Sequence, residues 1–266
     1  RRIRPALIFR CHMTNTVMNA WTFGGTRLES FGHITLLDDY LDMPGERGGD
    51  IEIPMQDGEV YTEKFCPPKT ISFGMEITSD GVYDLESKFD NLKKLLGTRG
   101  QQYLANSMFP GGPRRALAKA SIPLSVTRDP DPRAAKIVIV FKLTDPFMRF
   151  TAITSVSFSG AAYTLNNPGT ARERRAIITL TGPLTAPTIT NTTNGIAMQY
   201  NANLAGAGNV VIIDCGLYTT TPAAAVGNII HTGDPAFMVL EPGNNALTLA
   251  GGGGGTVEFD FYAPFL

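Results

Sequence analysis

Ala246-Leu-Thr-Leu-Ala250, the run Gly251–Gly255 and Thr256-Val-Glu-Phe-Asp-Phe261 follow one another near the end of the chain. In the last segment Val257, Phe259 and Phe261 alternate with Thr256, Glu258 and Asp260. Successive side chains of a strand point to opposite faces, so this is a strand with one buried face and one wet one. The glycines read as a hairpin loop joining it to a strand at Ala246–Leu249. A phosphate-binding loop would need a Lys-Ser or Lys-Thr pair and a following helix, and neither is present.

Outward from there the pattern repeats. Phe237–Leu240 reads as a strand ended by Glu241-Pro242-Gly243, and Val210–Asp214 as one ended near Gly216. Thr188–Thr190 stops at Asn194-Gly195, and Ala176–Thr181 at Gly182-Pro183. Short strands at this spacing, with turn signals and no helical period between them, predict an antiparallel β-sandwich.

The first half is of another kind. Ile71, Phe73, Met75 and Ile77 alternate with Ser72, Gly74 and Glu76, a second strand with one buried face. Lys136–Leu143 is apolar on both faces in its middle, which predicts a strand buried on both sides and ended by Asp145-Pro146. From Asp84 to Leu96, Leu85, Phe89, Leu92 and Leu96 form one stripe at helical spacing. Asp84 and Glu86 come early, Lys93 and Lys94 late, and Gly97 follows, all in agreement with the helix dipole and a C-terminal stop. The plain reading is an amphipathic helix capping a sheet. Between Leu37 and Pro68 the periodicity fails, apart from a short strand around Ile51 and Ile53. Loops of this length are functional or are ordered by a partner. Phe109-Pro110-Gly-Gly-Pro113, followed by Arg114-Arg115, is a second irregular stretch of the same kind.

Charge divides the chain as sharply as periodicity does. Residues 1–150 carry 20 Lys/Arg and 18 Asp/Glu, whereas residues 151–266 carry 3 and 6. Length alone allows two domains or one large all-β domain. The charge step favours two, with a boundary between Phe147 and Asn166, set here as 1–152 and 153–266. With a net charge of −1, nothing suggests a general polyanion binder. No apolar run approaches the ~20 residues a membrane helix needs. Arg1-Arg2-Ile3-Arg4 is basic, but Arg10, Cys11 and His12 interrupt before any apolar segment, so no export signal is expected. Cys11, Cys66 and Cys215 have no redox or zinc spacing and read as free thiols of a protein made in the cytosol.

Chemistry finds little to stand on. The histidines are His12, His33 and His231. His231 with Asp214 and Cys215 fits no triad or metal spacing, and structural or surface roles explain them better. Asp38, Asp39 and Asp42 lack the ligand spacing and central glycine of a calcium loop and read as a solvated or partner-facing run. Sugar stacking would need exposed aromatic rings. Trp21 lies in the first half, and Tyr163, Tyr200, Tyr218 and Tyr262 suit core or edge packing. No catalytic residue, metal ligand or cofactor is expected.

Several of these features coincide in one family. The chain resembles the siphophage distal tail proteins, known as Dit. The resemblance rests on the turn Pro44-Gly45-Glu46-Arg47-Gly48-Gly49, which is similar to the family's Pro-Gly-Arg-x-Gly, and on the helix Asp84–Leu96. It continues in the closing strand before Asp145-Pro146-Phe147, Asn167-Pro-Gly-Thr170, Ile178–Gly182 and Thr188–Gly195. It is strongest in Leu240–Leu249, the glycine loop and Val257–Tyr262. The run Arg172-Glu173-Arg174-Arg175 departs from it, since family members often have a proline there.

The resemblance implies a mainly β protein. Its N-terminal half would be a tube-protein-like β-barrel or sandwich with one α-helix, and its C-terminal half a galectin-like antiparallel β-sandwich. It implies a non-enzymatic structural protein of a long non-contractile tail, found at the virion's tail tip and assembled in the host cytoplasm. Six copies would form a ring joining the tail tube protein to the tail hub or fibre protein. The ring would leave a channel for the tape measure protein and then DNA, which only passes through, and nothing would insert into a membrane. Pro44, Gly45, Glu46, Arg47, Gly49 and Asp50 are the expected ring-interface residues, with Glu46 and Arg47 at the tip of the 38–68 loop. The galectin signature of sugar-contacting His, Asn, Arg and Trp is absent from the second half, so lectin activity is not carried over. The alternative is a carbohydrate- or receptor-binding tail-tip module.

Overall fold

The computed structural model describes residues 21–37, 43–52, 57–60, 62, 64–121, 125–128, 130–232 and 237–266. Cys11, His12, Asp38, Asp39, Asp42, Ile53 and the basic residues of 1–10 lie outside the described residues.

The first half is built on the pairing of Lys69–Thr78 with Ala134–Leu143, antiparallel from Lys69↔Leu143 to Thr78↔Ala134. Directly opposed residues share a face. Ile71, Phe73, Met75 and Ile77 therefore join Ile137, Ile139, Phe141 and Leu143 in one buried layer. The sheet runs on through Arg114–Ala120, Gln102–Asn106 and Trp21–Phe23 on one side and to His33–Leu36 on the other. Trp21 fills the core edge-on against Phe73, with ring centroids 5.1 Å apart. The helix, Val82–Leu96, buries Leu85, Leu92 and Leu96 in the same core, half-buries Phe89, and closes with the Gly97 N–H donated to the Lys93 carbonyl.

Among the described residues the long pair at the centre of this sheet has one covered face. Val138 is 40% exposed and Leu37 54% exposed, while Lys136 and Lys142 project on the same bare side as Val138. The expectation that Lys136–Leu143 is buried on both sides is corrected: Val138 and Val140 satisfy the strand's preference for branched side chains, not a second packed layer.

The second half is a sandwich of two antiparallel sheets. One runs Thr154–Phe158, Thr256–Phe261, Ile177–Thr181, Val210–Asp214 and Thr219–Thr221; the other runs Ala162–Asn167, Gly243–Gly252, Leu184–Asn191, Ile196–Tyr200 and Ile229–Thr232. Val257, Phe259 and Phe261 point inward, as their alternation predicts, and meet Leu165, Ile189, Met198 and Leu247 from the facing sheet in a single core.

Two expectations fail here. The strands flanking Gly251–Gly255 lie in different sheets, so the glycines form a crossover between sheets instead of a hairpin. The crossover wraps closely around the turn after Thr181. A Cβ on Gly251 would stand 2.1 Å from the Thr185 carbonyl oxygen, and one on Gly255 would stand 2.2 Å from that of Thr181. Only glycine permits that approach. Phe237–Leu240 is fully buried but forms no strand; Leu240 makes an isolated bridge to Glu173. Side-chain amides replace the ladder: Asn191 and Asn194 donate to the Val239 carbonyl at 2.9 and 3.0 Å.

The chain end then returns to the first half. Pro264–Phe265 pairs with Met148–Phe150, which pairs in turn with Arg114 and Arg115. Phe265 packs in the core of the sandwich while its backbone extends the other half's sheet.

Candidate assembly site: the arm and the seam

The 38–68 region contains an arm. Ile51–Glu52 pairs with Glu59–Val60, and below that pair Arg47 and Phe65 exchange backbone hydrogen bonds at 2.7 and 3.0 Å. Lys64 closes the root, 3.1 Å from Asp50 and 3.6 Å from Glu46. The Thr62 N–H donates to Asp50 at 3.1 Å. That bond and Lys64 hold the Asp50 carboxyl below the usual carboxylate range, and Asp50 in turn raises Lys64. Gly45, Glu46, Arg47 and Gly49 are exposed; Pro44 and Asp50 are half-buried. The six expected interface residues are thus brought together, but at the root. Arg47 pairs with Phe65 outside the pair of Ile51–Glu52 with Glu59–Val60, so placing Glu46 and Arg47 at the tip is corrected: their partners, Lys64 and Phe65, lie at the far end of the loop. Met43, Ile51, Val60 and Phe65 expose apolar side chains along the arm.

Behind the arm lies a charged seam between the two halves. Arg149 donates to Asp145 at 2.9 Å, to the Tyr262 carbonyl at 3.1 Å and to Glu173. Arg175 donates to Asp145 at 2.8 Å, and its backbone N–H caps Glu173. Glu173 is 0% exposed. Burial pushes its carboxyl above the usual range, against the pull of Arg149. Burial would lower Arg149, but Glu173 and Asp145 outweigh it and push its guanidinium up. Arg172 meets Glu241 at 2.9 Å, and Arg174 lies 5.6 Å from the Phe65 ring at the arm's root. Arg114 covers the neighbouring edge, 3.5 Å from the Phe265 ring centroid. One run, Arg172–Arg175, therefore ties arm, sheet and sandwich together.

Sequence reasoning passed over this seam, treating the run as a departure from a family pattern. A signal was present. Arg172, Arg174 and Arg175 are the only basic residues of the second half. Three guanidiniums gathered in a charge-poor region need carboxylate partners from elsewhere in the fold.

The weaker candidates are dispersed. Asp214 and His231 lie on different sheets of the sandwich. Asp214 accepts the Gly216 and Leu217 N–H groups at 2.9 Å, and Cys215 is buried, its thiol pushed up to about 12 by that burial. Tyr200 is buried; Tyr163 stacks on Phe158 at 5.0 Å, and Tyr218 packs edge-on against Phe237. Among the described residues no three His, Cys, Asp or Glu side chains gather as a metal site, and no helix is long and apolar enough to cross a membrane.

No family model and no curated protein matches the sequence. Among solved structures, the SPP1 Dit (gp 19.1) protein, described as a paradigm of the hub adsorption apparatus in phages infecting Gram-positive bacteria, matches with a TM-score of 0.63 at 15% identity. The match covers 91% of this chain and 98% of that one. The phage P2 baseplate, in its activated conformation with Ca or Sr, aligns at a TM-score of 0.40 and 8% identity over 89% of this chain and 93% of the other. That likeness is too loose to carry weight. The chain shares the mainly β fold of the SPP1 Dit protein.

Proposed function

We propose that this chain is a structural distal tail protein of a long non-contractile phage tail. Six copies close into a ring between the tail tube protein and the tail hub or fibre protein, around a channel for the tape measure protein and DNA. The observation that carries this is the fold match to SPP1 Dit, which spans nearly all of both chains. The bare side of the first-half sheet and the apolar arm agree with it. Both are surfaces that neighbouring copies would cover, and repetition around a ring multiplies contacts that are weak singly. In this reading residues 1–152 form the ring and residues 153–266 are a galectin-like scaffold, with no enzymatic role. Pro44 to Asp50 brace the arm that reaches a neighbour. Mass photometry of the purified chain, alone and with its tail tube protein, tests the reading. Particles of six chains are expected in at least the second sample; single chains in both would overturn it.

A further inference from the structure

At the seam a cavity of about 180 Å³ opens between the halves, lined among others by Tyr103, Arg115, Asp145, Arg149, Arg175 and Tyr262. Arg115 lies 4.4 Å from the Tyr103 ring centroid and 5.2 Å from that of Tyr262. Flanked by two aromatic faces, its guanidinium is held in place, yet it donates no hydrogen bond to any described residue. Toward the described residues Arg175 uses only its Nη1, on Asp145, and Arg149 leaves its Nη2 unused. Among the described residues three guanidiniums thus meet two carboxylates, Asp145 at the cavity and the fully buried Glu173 behind it, and one positive charge is left over.

We propose that this cavity is a binding site for a single oxyanion head group, a phosphate or a carboxylate. The planar guanidinium fork matches either group in a bidentate manner. The volume falls below the ~300 Å³ at which pockets for drug-sized ligands begin, a size that suits a head group. Tyr262 is held over Arg115 between the strand Thr256–Phe261 and the pairing of Pro264–Phe265 with Met148–Arg149, and its carbonyl accepts from Arg149. The site rests on the seam alone and does not require the chain to close into a ring.

Calorimetric and NMR titration of the full chain with inorganic phosphate, and separately with acetate, at fixed ionic strength, tests it. Saturable binding with shifts at Arg115, Arg175 and Tyr262 is expected, weakened at least tenfold by Arg115→Met and unchanged by Arg133→Met, which removes an exposed arginine paired with Asp131. Arg115→Lys, which keeps the charge and loses the fork, is expected to weaken binding severalfold and serves if the Met variant does not fold. Tighter phosphate binding assigns the site to phosphate groups; tighter acetate binding assigns it to carboxylate side chains. Absence of saturation, or equal loss in the Arg115 and Arg133 variants, would overturn the proposal.

Discussion

The two halves solve the burial of a β-sheet in opposite ways. The sandwich turns the apolar faces of its sheets toward each other, so Phe259, Leu180, Ile189 and Leu249 meet in one core without outside help. Among the described residues the first half covers one face of its sheet and leaves Val138 and Leu37 on the other. A half that closes on itself can serve as a scaffold; one with a bare sheet face and an arm held by a short strand pair, one bridge and the Lys64 contacts asks for neighbours. Isolated two-stranded hairpins are marginal in water, so the arm should be the first segment to exchange its amide protons.

If the sandwich is a closed core, its central ring should be the costliest to remove. Phe259→Ala should lower unfolding stability by about 3–5 kcal/mol in denaturant titration, and a variant as stable as the parent would put that ring on the surface. The seam comes next. Glu173→Ala strips a buried carboxylate from Arg149, leaving Asp145 to compensate it, at a cost of about 3 kcal/mol. A loss within scatter would mean that the halves are not locked by charge.

Much of this was legible from the chain alone. Alternation marked Ile71–Ile77 and Val257–Phe261 correctly, because each has one wet face and the period is visible. It misled at Lys136–Leu143, where valines on the bare face resemble a second core. At Phe237–Leu240 burial and strand formation parted company, since asparagine side chains supply the hydrogen bonds a neighbouring strand would give. The seam was hidden for a different reason. Arg149 and Glu173 are 24 residues apart, and Asp145 and Arg175 are 30 apart, so only the returning end of the chain and the packing of the halves bring them together. At the arm the residues were identified, but their place at the root followed from a pairing with Lys64 and Phe65 that no local pattern carries.

Smaller effects sharpen the contrast. Cys215 sits inside the sandwich with its thiol pushed up to about 12, so the folded chain keeps a proton that the unfolded chain releases near pH 9. Its stabilising contribution is fully present below pH 9 and is lost as pH rises from there toward 12, at about 1.4 kcal/mol per pH unit. Cys215→Ala should flatten that part of the alkaline stability profile, and an identical slope in both proteins would show the thiol to be accessible. The first half should respond in the opposite sense, little alone and strongly in company. Val138→Lys and Arg47→Glu should each change the unfolding of the single chain by no more than about 0.5 kcal/mol while impairing assembly. Normal assembly by both variants would leave the bare face and the arm without a role.

The most direct test is a cryo-EM map of the tail tip of virions carrying this chain. The account predicts one closed ring of six copies between tube and hub, with the Val138 face and the 43–66 arm buried against other subunits. A map placing the chain in peripheral fibres, or in a ring that leaves Val138 and the arm in solvent, would contradict it.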